Sequence, residues 1–257
     1  LTPFAGGRVD PAGWAVLENL VSIAEISSSN DLARELIELY FAEEQALAAT
    51  LLVAESQPSA RGRRGKAWAA PVGMGLYLTL VKRSRGEPLS VIPIATARWL
   101  RDMLEEQTGV SARLKWPNDL YVGRRKLAGV LSEARTQGEE TYVAVGIGLN
   151  VKGPAAALGI PHATTLEDES GKPIALAPLL QAVADGFDRR LSADFRGEEE
   201  VAAWQKASVH RPGDRLTVQR DEGAVSGSYL GLDERGFLRL ETASGENRLT
   251  GGEVSEW

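Results

Sequence analysis

Two apolar runs, Lys126–Ala134 and Tyr142–Val151, flank the short polar stretch Thr136–Glu140. Strands joined by so short a link pair antiparallel, because a parallel partner needs a long crossover. A lone hairpin is marginal in water, so these runs call for more strands beside them. Leu51–Glu55, Leu76–Val81, Arg113–Trp116 and Leu120–Val122 are the candidates, with Pro117 breaking the last two apart. Helices are expected between them. Asn30–Tyr40 carries apolar residues at 32, 36, 37 and 39, and Ser27-Ser28-Ser29-Asn30 offers N-cap side chains before it. Leu89–Glu106 is amphipathic and stops before Gly109. Ala175–Leu191 and Glu199–Ala207 also read as helices.

From Arg211 onward the spacing changes to short strands and turns: 215–220, 226–232, 237–242 and 248–250. The fold class expected is α+β: a mostly sequential, mixed or antiparallel sheet followed by a small barrel. We divide the chain into a Gly- and Pro-rich leader (1–13), a large domain (14–209) and a β module (210–257). A module of about 48 residues rarely folds well alone, so it is expected to dock on the large domain.

Composition removes several chemistries. There is no cysteine, which excludes disulfides, thiolate catalysis and Cys-ligated zinc. With two histidines, His162 and His210, a His-rich metal site is excluded, and both read as loop or strand-edge residues without a chemical role. A net charge of −6 makes a poor general binder of nucleic acid or anionic membrane. No run of ~18 apolar residues is present, so no membrane span is expected. Nor is there a basic segment leading into an apolar core, as in a secretory signal. A reducing cytoplasm is the expected location.

Four clusters could carry chemistry. RGRRGK, Arg61–Lys66, interleaves four cations with Gly62 and Gly65. Such a loop can bind an anion, but taken alone a solvated basic loop is the default. Its spacing is not that of a Walker A phosphate loop. Lys115-Trp116-Pro117-Asn118-Asp119 could aim a lysine at phosphate, or simply make a good turn with Trp116 as filler. Lys126 opens an apolar strand after Arg124-Arg125, at a hairpin tip or at a buried anion. Gly146 and Gly148 alternate within a strand, which weakens it unless a ligand or another segment packs on the backbone.

Taken in order, Ser28-Ser29-Asn30, Ala54-Glu55-Ser56-Gln57, RGRRGK with Ala67-Trp68, KWPND (115–119), RKLAG (125–129), GIGLNV (146–151) and Gly251-Gly252-Glu253 resemble the biotin–protein ligase family. The resemblance runs from about Ser22 to the end of the sequence, and KWPND followed by KLAG is its most specific part. It implies a catalytic domain like that of class II aminoacyl-tRNA synthetases, followed by an SH3-like barrel. It implies a two-step reaction with ATP and biotin as substrates and Mg²⁺ as helper. Biotinyl-5′-AMP forms first, and biotin then passes to a lysine of a biotin carboxyl carrier domain.

By the same resemblance, Arg61, Arg63 and Lys126 act at the carboxylate–phosphate linkage. Ser28, Ser29, Asn30 and Gln57 bind or close over the biotin ring. Gly62 gives the loop mobility. Gly129, Gly146 and Gly148 let the ligand lie on the strands, and Asn150 is near the adenylate. Lys115 and Asp119 organise phosphate and Mg²⁺, with Asp119 the metal ligand. Trp68 stacks or packs. Three positions depart from the family pattern: Ala60 stands for Gly, Lys66 for Arg and Ser29 for Thr. Only 13 residues precede Trp14, too few for the helix-turn-helix domain of some members, so no DNA partner is expected if the chain is complete. A homodimer is a further expectation. The rivals are a lipoate or octanoate protein ligase and, from another class, a nucleic-acid module built on RGRRGK.

Overall fold

The computed structural model describes residues 9–192 and 196–257. The large unit opens with β1 (Asn19–Glu25), α1 (Ser29–Ala42), β2 (Thr50–Ser56) and β3 (Gly75–Arg83). It continues with α2 (Ile92–Thr108), β4 (Arg113–Lys115), β5 (Asp119–Val122), β6 (Arg125–Gln137) and β7 (Glu140–Asn150). Three helices follow: α3 (Leu166–Ser170), α4 (Leu176–Ser192) and α5 (Gly197–Ala207). The small unit comprises β8 (Arg215–Arg220), β9 (Gly223–Leu232), β10 (Leu238–Thr242), β11 (Gly245–Leu249) and β12 (Glu253–Glu256).

The first sheet has the order β1-β2-β3-β7-β6-β5-β4. The β6–β7 hairpin pairs from Ala128–Leu149 out to Gln137–Glu140, and β3 lies along the other side of β7. β1 and β2 run parallel, with α1 as the crossover, so the sheet is mixed. Sequence spacing did not single out β1. It is an edge strand whose residues are mostly half-exposed or exposed, so the alternation that marks a half-buried strand is blurred. Nor did spacing single out α3 and β12, elements of five and four residues.

Local chemistry explains the helix ends. Ser28 is the N-cap of α1, in extended conformation, its hydroxyl accepting from the Asp31 N–H at 3.4 Å. α2 begins at Ile92 rather than Leu89, because Pro93 suits the first turn and Val91 N–H closes a turn onto Pro88 O. Gly109, at φ 75°, ends it in the left-handed region that glycine tolerates.

Of the leader expected over 1–13, residues 1–8 lie outside the described residues. Val9 is buried, and the Asp10 N–H donates to Gln181 Oε1 at 2.6 Å. Just beyond, Asp188 of α4 accepts the N–H groups of Ala15, Val16 and Leu17 at 3.0, 2.7 and 2.8 Å. The segment entering β1 is therefore fastened to α4.

The second sheet has the order β11-β10-β9-β8-β12 and docks on the first. Trp116 Nε1 donates to Gly236 O at 3.0 Å, and Leu232 N–H to Gln205 Oε1 at 2.8 Å. One apolar core runs through both units, from Leu78 and Val145 through Leu100 and Trp204 to Leu216 and Leu240. A large apolar side chain buried this fully contributes about 2 kcal/mol relative to exposure, which is the force that holds the small unit down. No helix of the described residues is long and apolar enough to cross a membrane.

Candidate active site

A cleft of about 520 Å³ opens where the first turn of α1, the 57–68 loop, the β4–β5 turn, β6, β7 and Gly252-Glu253 of the small sheet converge. It gathers nearly all the residues singled out above: Ser28, Ser29, Asn30, Gln57, Arg61, Gly62, Arg63, Lys115, Asp119, Lys126, Gly129, Gly146 and Gly148. Asn150 is not among the lining residues. Its amide donates to Thr164 O at 3.1 Å, which ties the end of β7 to the segment running alongside Lys126.

One end of the cleft is a connected hydrogen-bond network. Ser29 N–H donates to Gln57 Oε1 at 2.7 Å. The hydroxyls of Ser29 and Thr79 lie 2.7 Å apart, and Thr79 donates to Asn30 Oδ1 at 2.7 Å. Asn30 Nδ2 donates to Glu133 Oε2 at 2.8 Å. Since the Thr79 proton goes to Asn30, the Ser29 hydroxyl donates to Thr79. Each group's rotamer is thus set by its neighbour, and the polar ring is fixed in advance of any ligand. Thr79 and Glu133 were not anticipated. Thr79 could have been found: it is a lone polar residue amid the apolar run of β3 and is fully buried.

The two glycines of β7 are explained by side chains of this chain. A β-carbon on Gly146 would lie under 3.0 Å from Asn30 Oδ1, and one on Gly148 equally close to the Trp68 indole. The segments that needed close approach to the strand are α1 and the end of the loop. Gly129 sits more loosely, with Asp119 Oδ1 and Lys126 Nζ at 3.2 and 3.3 Å from its notional β-carbon.

The other end is cationic. Lys126 Nζ pairs with Asp119 Oδ1 at 2.7 Å and stands over the Trp68 ring, 5.3 Å from its centroid. Arg63 donates to Gly252 O at 3.3 Å, and burial pushes its guanidinium pKa down, against the pull of Asp119. Arg64 donates to Gln219 O at 2.9 Å and pairs with Asp221 at 2.6 Å. Lys66 pairs with Glu253 at 2.5 Å. The RGRRGK loop therefore rests on the small sheet. Arg61 instead turns back to Asp31 in the first turn of α1.

Two departures from the family pattern acquire a place. The Ala60 methyl is buried with Ala70, Tyr77 and Trp68, while its carbonyl accepts Trp68 N–H at 2.9 Å. The Ser29 hydroxyl occupies the network just described. Asn118 is structural: its amide bonds to Val130 O, and its carbonyl accepts Val130 N–H at 2.9 Å. His162 lines the cleft through a loop whose carbonyl accepts Lys126 N–H at 2.7 Å. His210 is buried against Tyr229 and Trp257, at the junction of the two units.

A mixed sheet thus joins a polar recess to a cation-lined trough, with a β module docked beside it, and the chain's relatives with this arrangement are protein ligases of the biotin and lipoate class. The Biotin/lipoate A/B protein ligase family matches residues 23–150, and the Biotin protein ligase C terminal domain matches residues 213–257. The Biotin--[acetyl-CoA-carboxylase] ligase of Paracoccus denitrificans is 32% identical over 213 residues, 79% of this chain and 88% of that protein. The Bifunctional ligase/repressor BirA of Bacillus subtilis is 28% identical over 248 residues, 92% of this chain and 74% of that protein. Among solved structures, the biotin protein ligase from Aquifex aeolicus in complex with biotin and ATP superposes with a TM-score of 0.72. It is 26% identical, and the match covers 93% of this chain and 98% of that one. The chain belongs to the biotin protein ligase family.

Proposed function

We propose that this chain is an ATP-dependent biotin–protein ligase that forms biotinyl-5′-AMP and passes biotin to a lysine of a biotin carboxyl carrier domain. The observation that carries the reading is one cleft holding two chemistries side by side: a preset ring of amide and hydroxyl groups beside a set of cations that includes Arg63, Lys115 and Lys126. The former suits a ureido ring, which offers both donors and acceptors. The latter suits a carboxylate meeting a phosphate.

In the first step a biotin carboxylate oxygen attacks the α-phosphorus of ATP, and the bond to the β-phosphate oxygen breaks to release pyrophosphate. Both partners are anions, so the reaction is slow unless positive charge is fixed where they meet. Arg63 and Lys126 supply that charge from opposite walls, the loop and β6. Asp119 holds Lys126 in place without leaving the cleft. In the second step the acceptor lysine nitrogen attacks the anhydride carbonyl, AMP leaves, and the ammonium proton is released. Lowering the loop over the anhydride excludes water in the interval.

A magnesium ion, if it accompanies the nucleotide, would be held mainly by the phosphates. Among the described residues no group of three or more His, Cys, Asp or Glu could cage a metal. Mg²⁺ bound through phosphates needs only one or two carboxylates, and Asp119 and Glu253 line the cleft, so the donor set fits such an ion. Its contribution when bound is to shield the departing pyrophosphate.

The match of residues 213–257 to a biotin ligase C-terminal domain favours biotin over lipoate, and favours a division of the chain near residue 210. Incubation with MgATP, an acceptor domain and either acid tests the reading. Biotin should be transferred; lipoate transfer without biotin transfer would overturn it.

A further inference from the structure

Lys115 is only 8% exposed, lines the cleft, and forms no ion pair among the described residues. The two carboxylates nearest to hand are engaged elsewhere, Asp119 with Lys126 and Glu253 with Lys66. The Lys115 ammonium instead stands over two aromatic rings, 5.0 Å from the Tyr121 centroid and 5.4 Å from that of Trp257. These rings meet edge to face, with centroids 5.8 Å apart.

Trp257 is itself held on several sides. The Arg124 guanidinium lies 4.9 Å from its ring centroid and donates to its carbonyl at 2.9 Å. His210 packs edge-on at 5.5 Å. Tyr121 belongs to the large sheet, whereas Trp257 follows β12 of the small one. The aromatic seat is thus shared between the two units.

A ring face attracts a cation but takes up none of its strong hydrogen bonds, so the donors of Lys115 stay available to an incoming anion. A carboxylate partner would neutralise the charge and compete with phosphate oxygens. Burial pushes the Lys115 pKa down, while Asp119 and Glu253 pull it up.

We propose that Trp257 is a positioning residue for the nucleotide step: with Tyr121 it seats Lys115 by π contact and leaves its ammonium donors free for the polyphosphate of ATP. The proposal rests on the ligase reading above. It gives the small unit a part in ATP use through a residue that does not itself line the cleft.

Biotin-dependent ATP–pyrophosphate exchange in the full chain, with calorimetric biotin titration in the absence of nucleotide, tests it. Trp257→Ala should raise KM for ATP about tenfold while the biotin Kd stays within about twofold, and Trp257→Phe should restore most of the loss. Trp257→Leu keeps bulk without a π face, and should behave like the alanine variant even if the latter folds poorly. An unchanged KM for ATP in the leucine variant overturns the proposal, as does an equal weakening of biotin and ATP, which marks general loosening. Exchange by the wild-type chain with no effect of the variants overturns this proposal alone. No biotin-dependent exchange by the wild-type chain overturns the ligase reading and this proposal with it.

Discussion

Gly146 and Asn30 share one volume: the Asn30 carboxamide lies on the β7 backbone where any side chain at 146 would stand. Gly146→Ala must therefore push Asn30 off its bonds to Thr79 and Glu133. Backbone and carboxamide both resist, and a buried amide left unpaired is costly. We expect KM for biotin to rise by about tenfold or more, with KM for ATP changed much less. Steady-state kinetics with each substrate varied in turn checks this; equal effects on both would count against a local role.

Arg63 is half-buried and bonded across to Gly252 O, so its guanidinium is held at the wall of the cleft. Arg63→Ala should release biotinyl-5′-AMP to solvent about 10–100 times faster, in line with loss of one charge-assisted contact in a partly dry site. Dissociation of labelled intermediate measures it directly, and an unaltered rate would remove Arg63 from this role.

Lys126 faces Asp119 at 2.7 Å, so Lys126→Ala removes a cation and also leaves a carboxylate unpaired beside the reacting anions. Both effects oppose charge build-up at phosphorus. Biotin-dependent ATP–pyrophosphate exchange should fall about 100-fold or more. Lys126→Arg, which keeps a cation opposite Asp119, should retain much more of the exchange than Lys126→Ala.

His210 supplies a pH dependence of stability. Burial, then the charge of Lys115, lower its pKa from 6.5 to about 4, with Asp214 pulling the other way and Tyr229 and Trp257 packed as rings beside it. The unfolded chain takes up a proton at about pH 6.5, whereas the folded chain stays neutral until about pH 4. Stability is thus unaffected above the first value, falls as pH drops between the two, and levels off below. The loss is on the order of 3 kcal/mol. His210→Phe, whose ring can keep the edge contacts, should flatten urea midpoints over that window. An unchanged slope would show that other groups set it.

The elements legible in the sequence were those with a strong local signal. The β6–β7 hairpin, α1 with its Ser28 cap, α2 with its Gly109 stop, and strands β8 to β11 follow from periodicity and capping chemistry. Edge strand β1 and the short α3 and β12 were not legible. Their stability comes from partners far along the chain, such as the three N–H groups before β1 that bond to Asp188.

The site divides in the same way. Ordered motifs named the residues that gather in the cleft, because hydrogen-bonding and charged types at a fixed order along the chain carry the family's pattern. They also marked Gly146 and Gly148 as places where something must approach the backbone. Only the tertiary structure decided what approaches: Asn30 on one and Trp68 on the other. It also decided that Arg64 and Lys66 rest on the small sheet, that Asn150 braces a loop, and that Lys115 is seated on Tyr121 and Trp257. The reason is physical. Residue type and local spacing set what a side chain can do and which element it joins. Which atoms it meets depends on the packing of segments up to 189 positions apart, as from Arg63 to Gly252, and no local pattern encodes that distance.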